Sequence, residues 1–279
     1  MNILCSVILV PVLMAFFFVP NIVSKYIWFC SAIFCRIAGL DIQIRDYHFM
    51  RDKGKGIIII NHMSALDSLV GCYNARNFGD WILVVKKELK WYGPYGLALR
   101  ITNAIFIDRS NSKAAMRQLS EAARQIFSQS KTKHRIVFYP EGTRNSSPDG
   151  KLLPFKLGAF RLAAENGVPI FPVVTSRYYF CRHFRKFERG SIVCKVLPPL
   201  YIEPGADLDD VARRTRLLMQ NELDELSEEV KRSSAEQSSG FWIGVLLAIA
   251  ALLIIYLLFQ QPDNRNHSME DSTEKLLCS

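Results

Sequence analysis

The stretch that decides the fold is IIIINHMSALD, residues 57–67. Four consecutive isoleucines between Gly56 and Asn61 read as a strand buried on both faces, because a β-branched run without polar alternation leaves no side for water. A loop carrying a histidine follows at once, then a helix-start signal, since Ser64-x-x-Asp67 resembles a capping box. Strand, polar loop and helix make the opening of a β–α unit, and the pattern recurs along the chain. Residues 82–85, 104–107, 136–139 and 170–174 read as further buried strands. Residues 112–128 carry Ala115, Met116, Leu119, Ala123, Ile126 and Phe127 at helical spacing. Residues 155–165 read as another helix, stopped by Asn166-Gly167. The alternation predicts an α/β domain over about residues 41–205, a mixed sheet flanked by helices.

The 279-residue chain has 35 Lys plus Arg against 26 Asp plus Glu, a formal charge of +9, with 49% hydrophobic residues and a mean hydropathy of +0.09. The apolar share excludes a disordered polyelectrolyte. Seven cysteines are too few for a disulfide scaffold, and the mean hydropathy is too low for a polytopic transporter. The charge is strongly partitioned: residues 41–200 carry a net +14, and residues 201–240 a net −5.

Residues 241–259, FWIGVLLAIAALLIIYLLF, hold no charge and are long enough to span a bilayer as a helix, with Phe241, Trp242 and Tyr256 near the ends where aromatic rings suit the interface. They predict a C-terminal transmembrane helix followed by a polar tail, residues 260–279. Residues 1–40 predict apolar, membrane-associated helices interrupted by Pro11, limited by Pro20 and jointed at Lys25; they either span or lie in one leaflet. Residues 206–240 predict a polar helix with a narrow apolar stripe of Leu208, Val211, Leu218, Leu226 and Val230. Lys231 and Arg232 before the expected span, against Arg265 after it, favour a cytosolic domain. An odd cysteine count without CxxC fits a reducing compartment.

Many chemistries leave no trace here. There is no GxSxG, HExxH, Walker loop or GxGxxG, and no His/Cys cluster with metal-ligand spacing. No helix-turn-helix or RNP pattern supports nucleic-acid binding. Three loops that follow strands carry the functional signal. In the first, His62 and Asp67 lie on opposite sides of a loop-to-helix junction, where Asp67 can accept from one imidazole nitrogen and leave the other as a base; the competing local reading has Asp67 only closing a helix start. In the second, Tyr139-Pro140-Glu141-Gly142-Thr143-Arg144, Gly142 permits close backbone approach, while Arg144 and Thr143 suit a phosphate and Glu141 can hold an arginine or a hydroxyl. The competing reading is a turn closed by a Glu141–Arg144 pair. In the third, the strand Ile105-Phe106-Ile107 ends in Asp108-Arg109, either a surface pair or an anion site shared with Arg144.

His62-x4-Asp67, Phe-Ile-Asp-Arg at 106–109, Pro-Glu-Gly-Thr-Arg at 140–144 and Val-Pro-Ile-Phe-Pro at 168–172, with Leu-Pro-Phe-Lys-x-Gly at 153–158 between the last two, resemble the ordered motif blocks of the glycerolipid acyltransferases, specifically the 1-acyl-sn-glycerol-3-phosphate acyltransferases. The resemblance covers about residues 40–200. It departs at Met63, where Gln is common, at Asn103, where Gly is frequent, and at Tyr139, where Phe is usual. It implies transfer of an acyl group from acyl-CoA, a co-substrate with no cofactor or metal, to the sn-2 hydroxyl of lysophosphatidate. His62 would be the general base and Asp67 its orienting partner, with backbone N–H groups at the Ser64 helix start stabilising the oxyanion. Arg109, Glu141, Gly142, Thr143, Arg144 and Lys156 would bind substrate. It also implies an endoplasmic reticulum membrane, with the bilayer as partner. Two alternatives stay open: another acceptor, such as glycerol 3-phosphate or a different lysophospholipid, and a non-enzymatic module binding anionic lipid. Arg177, Arg182, Arg185, Lys186 and Arg189 are candidates for CoA phosphates or headgroups, or a solvated basic face.

Overall fold

The computed structural model describes residues 20–236 apart from 52, 65, 79–80, 129–133, 146–149, 183–185 and 188. The chain divides into two units, Met1–Ser238 and Ser239–Ser279, and every described residue lies in the first. The expected span at 241–259 and the polar tail therefore lie outside the described residues, as do residues 1–19. Among the described residues no helix is long and apolar enough to cross a membrane.

The described chain opens with α1 (Pro20–Ala38). Pro20 heads this helix rather than limiting it from outside, since the first helical position needs no N–H and favours the fixed φ of proline. The helix passes through Lys25 without a break, so the expected joint there is absent. The core strands are β1 (Leu40–Arg45), β2 (Gly56–Ile60), β3 (Trp81–Lys86), β4 (Ile105–Ile107), β5 (Arg135–Phe138), β6 (Ile170–Thr175) and β9 (Gly190–Val196). A short hairpin, β7 (Cys181–Arg182) and β8 (Lys186–Phe187), stands apart. The helices are α2 (His48–Arg51), α3 (Asp67–Phe78), α4 (Gly93–Ile101), α5 (Ser112–Ser128), α6 (Gly158–Asn166) and α7 (Leu208–Glu236).

The strands form one seven-stranded sheet in the order β1-β9-β6-β2-β5-β3-β4. Strands β6, β2, β5, β3 and β4 run parallel, and β6 meets β9 antiparallel, so the sheet is mixed as expected. Strand β2 sits between β5 and β6, with Ile57 opposite both Ile136 and Ile170. This position explains the uninterrupted isoleucines. Ile57 and Ile59 enter the core that holds Leu119, Phe127, Phe160 and Met219 from α5, α6 and α7, whereas Ile58 and Ile60 enter the opposite one with Met50, Phe171 and Val173. Each such side chain contributes roughly 1.5–3 kcal/mol on burial, and a polar residue at any of the four positions would face a dry core.

Helix α5 has the expected bounds, and the Asn111 side chain accepts from Ala114 N at its start (3.0 Å). Helix α6 starts later than expected, at Gly158, and ends at Gly167 in a left-handed conformation (φ 58°). Helix α7 departs from the expected stripe. Val211, Met219, Leu223, Leu226 and Val230 are buried, whereas Leu218 points outward. The buried set follows the 3.6-residue period with polar residues between, and it packs on β6 and β9. Helix α7, Leu208–Glu236, is thus a layer packed on the α/β sheet.

Parallel β2, β4, β5 and β6 end at the same sheet edge, so the loops carrying His62, Arg109 and Glu141 converge there, at the edge where α/β proteins bind ligands.

Candidate active site

His62 leaves β2 after Asn61, whose buried side chain donates to Thr175 O (3.0 Å) and accepts from Thr175 N (2.8 Å). The amide pins the ends of β2 and β6 together and so fixes where His62 begins. His62 Nδ1 lies 2.6 Å from Asp67 Oδ2. The same oxygen accepts from Met63 N (2.9 Å) and Ser64 N (3.0 Å), and Leu66 N donates to Ser64 Oγ (3.2 Å). The capping box and the histidine–carboxylate pair are therefore one structure. The backbone donors hold the carboxylate in place, and the carboxylate orients the imidazole. With Nδ1–H donating to Asp67, the lone pair is on Nε2, which has no hydrogen-bond partner among the described residues. The ring is 22% exposed and the Asp67 side chain 4%, so the base reaches solvent while its partner does not.

Helix α3 begins at Asp67, not Ser64. The N–H groups of Met63, Ser64 and Leu66 are consumed inside the turn, and Asp67 N donates to Ser64 O (3.3 Å). Four of the N–H groups around the expected helix start, those of Met63, Ser64, Leu66 and Asp67, are thus already engaged within the turn.

Two tyrosines complete the pair. The Tyr178 hydroxyl, just beyond β6, donates to Asp67 Oδ1. The Tyr139 ring stacks on His62 with centroids 4.1 Å apart and planes 26° from parallel. Burial, reinforced by the Asp67 charge, pushes both phenols well above their usual range, so both stay neutral. Tyr139 was legible only as a departure from a usual Phe, and its flat face serves as Phe would. Tyr178 had no signal, since it belongs to no motif block and lies 111 residues from Asp67. Tyr178→Phe should lower kcat about tenfold, the scale of one hydrogen bond to a charged group, with KM unchanged; steady-state kinetics at saturating acceptor checks the split.

The second loop is locked to the first in both directions. His62 N donates to Glu141 Oε1 (2.8 Å), and Asn145 N donates to His62 O (2.6 Å). Glu141 Oε2 accepts from Leu153 N (2.9 Å). Glu141, expected to contact substrate, is 3% exposed with both oxygens engaged by backbone donors, so it braces the His62 and Leu153 segments. Burial pushes its carboxyl above the usual range, and the His62 and Leu153 N–H groups oppose that shift. No Glu141–Arg144 pair closes the turn.

Gly142 adopts φ 72°, and a Cβ there would lie 2.6 Å from Lys156 Cε. Glycine is required both for the left-handed backbone and for the Lys156 stem that crosses it. Arg109 Nη1 donates to Gly142 O from the end of β4, so the Asp108–Arg109 surface pair does not form. Asp108 instead accepts from Ser110 and faces Lys87. Thr143 and Arg144 are exposed on the same loop, and the Arg144 guanidinium has no ion pair among the described residues. Arg109 and Lys156 thus meet at Gly142, and Arg144 follows two residues later on the same exposed loop, at the sheet edge that carries His62. Arg177 is not among them, because it bonds Gly150 O (2.7 Å) and Asp224 (2.8 Å). Arg185 lies outside the described residues.

Asn103 explains its own departure. Its φ is 54°, a backbone that glycine adopts freely and asparagine tolerates better than other residues.

The family model described as Acyltransferase matches residues 41–176. The 1-acyl-sn-glycerol-3-phosphate acyltransferase of Haemophilus influenzae is 31% identical over 198 residues, covering 70% of this chain and 80% of that protein. The chain belongs to the 1-acyl-sn-glycerol-3-phosphate acyltransferase family. Human 1-acyl-sn-glycerol-3-phosphate acyltransferase alpha is 38% identical over 175 residues, 62% of this chain; the match spans 59% of the human protein's length. The crystal structure of a 1-acyl-sn-glycerophosphate acyltransferase from Thermotoga maritima has a similar fold (TM-score 0.59, 20% identity, 74% of this chain and 81% of that one). Membership in this acyltransferase family accounts for the order of the blocks. The His62–Asp67 and Gly142 geometry rests on the distances above.

Cys194, buried nearby, is not a nucleophile in waiting. Burial pushes Cys194 up to about 12, so it stays a thiol at neutral pH.

Proposed function

We propose that this chain transfers an acyl group from acyl-CoA to the sn-2 hydroxyl of 1-acyl-sn-glycerol 3-phosphate, forming phosphatidate in phospholipid synthesis. The observation that carries the reading is the His62–Asp67 pair, its free nitrogen at the sheet edge that also holds Arg109, Arg144 and Lys156. Nε2 of His62 takes the hydroxyl proton as the acceptor oxygen attacks the thioester carbonyl. Asp67 stabilises the imidazolium that forms. The tetrahedral intermediate collapses, the C–S bond breaks, and the imidazolium returns its proton to the departing thiolate. A free thiol has a pKa of about 8.5, so the thiolate leaves without strong acid assistance. No enzyme nucleophile is needed. The cations on the Gly142 loop suit the acceptor phosphate, which a guanidinium can grip through two parallel bonds.

Residues 241–259 and the apolar N-terminal residues would hold this site at a bilayer. A reducing, cytosol-facing location on the endoplasmic reticulum membrane fits the cysteine usage and the flanking charges.

Purified full-length chain assayed with one acyl-CoA against lysophosphatidate, glycerol 3-phosphate and lysophosphatidylcholine tests the assignment. CoA release dependent on lysophosphatidate, with phosphatidate as product, is expected. Release without acceptor would make it a thioesterase, preference for another acceptor would reassign the substrate, and no release would leave a lipid-binding module. Arg144→Ala should raise KM for lysophosphatidate about tenfold, 1.4 kcal/mol, the scale of one charged contact. An unchanged KM would show that Arg144 does not read the phosphate.

A further inference from the structure

The geometry points to a bilayer-docking corner at Trp91 and Tyr92, built for an anionic lipid surface and placed beside the active site. The 3-10 helix Lys87–Trp91 and helix α4 meet at this corner. Trp91 is 78% exposed, Tyr92 57% and Leu97 36%. A tryptophan and a tyrosine at neighbouring positions, both mostly in water, is a costly arrangement for a surface meant to stay wet, and both rings favour the membrane interface. Lys86, Lys87, Lys90 and Arg100 are exposed in the same segment, against one carboxylate, Glu88. Lys90 Nζ lies 5.6 Å from the Trp91 ring centroid. Cations interleaved with apolar rings complement an anionic leaflet, which a hydrophobic protein partner does not require.

The exposure is enforced by the backbone. Gly96 lies so close to the 3-10 helix that a Cβ there would stand 2.5 Å from Leu89 O, and Gly96 N donates to Tyr92 O (3.2 Å). Gly93 turns the corner at φ 53°. Leu99 anchors the far side with Val85 and Ala104. The close packing of α4 on the 3-10 helix thus holds the corner on which both rings stand exposed.

The corner is also joined to the site. It follows the end of β3, at the sheet edge that carries His62. Lys87 Nζ is 3.6 Å from Asp108, next to Arg109, and the Tyr95 hydroxyl is 3.3 Å from Ser68 Oγ, next to Asp67. A bilayer touching this corner lies against the edge where an amphiphilic acceptor has to enter. That consequence rests on the acyl-transfer reading; the contact itself does not.

The test is fluorescence quenching of the full chain in vesicles of phosphatidylcholine and phosphatidylserine with brominated acyl chains. The Trp91 signal is the wild type minus Trp91→Phe, so that Trp28, Trp81 and Trp242 cancel. Quenching of the difference signal is expected, weakened by Lys86→Glu with Lys90→Glu only when phosphatidylserine is present. An unquenched difference signal overturns the proposal, and a change of oligomeric state on Trp91→Ala with Tyr92→Ala would then identify the corner as a contact between copies. That double variant should raise KM for vesicle-borne lysophosphatidate about tenfold and leave turnover of a water-soluble, short-chain acceptor unchanged. Quenching without any acyl transfer would keep the docking corner and remove the enzymatic assignment.

Discussion

His62→Ala should lower turnover of lysophosphatidate by about 10²–10⁴-fold, the range for loss of a positioned general base. At 1.36 kcal/mol per decade this is roughly 3–5 kcal/mol of transition-state stabilisation. The substitution removes the group proposed to take the acceptor's proton and leaves its surroundings intact. His62 is attached to Glu141 and Asn145 through its backbone N–H and C=O, and both bonds survive in alanine. Asp67 keeps Met63 N, Ser64 N and Tyr178 as donors. The melting temperature should therefore stay close to that of the wild type while single-turnover acyl transfer collapses. Retained turnover with an intact fold would sink the general-base role.

Asp67→Asn should produce a loss of the same order, about 10²–10⁴-fold, for a separable reason. Asparagine is nearly isosteric, and its carbonyl oxygen can still accept from Met63 N, Ser64 N and His62 Nδ1. Its amide would then face Tyr178, whose hydroxyl can rotate to accept. The turn survives, but the negative charge opposite the forming imidazolium does not. Circular dichroism should be unchanged and the lost activity should appear in kcat. An asparagine variant as active as the wild type would mean that Asp67 merely closes the helix start, the local reading that the sequence left open.

Most of the scaffold was legible along the chain because it is written in local patterns. The isoleucines of β2, the period of α5 and the Asn166-Gly167 stop each reflect constraints within one element. Helix α7 was half legible: its existence follows from a 3.6-residue pattern, but which face is buried depends on the strands it meets, so Leu218 was placed inward while Met219 and Leu223 do the packing. Strand β9 went unread, since its exposure on either face is set by β1 and β6, neighbours far apart in sequence.

The same division runs through the site. Local patterns along the chain named the available groups, His62, Asp67, Arg109, Gly142, Arg144 and Lys156, and placed His62, Arg109 and the Gly142–Arg144 turn after strands. The sequence by itself could not decide their work, because hydrogen-bond partnership depends on distances closed by tertiary packing. Only the folded chain assigns Glu141 to bracing two loops, engages the N–H groups of Met63, Ser64 and Leu66 in the turn before α3, and brings Tyr178 to Asp67 across 111 residues. Motifs preserve side chains whose chemistry is needed wherever the loop lies. A phenol reaching a buried carboxylate from the end of β6 leaves no local pattern, because its only requirement is a place in space.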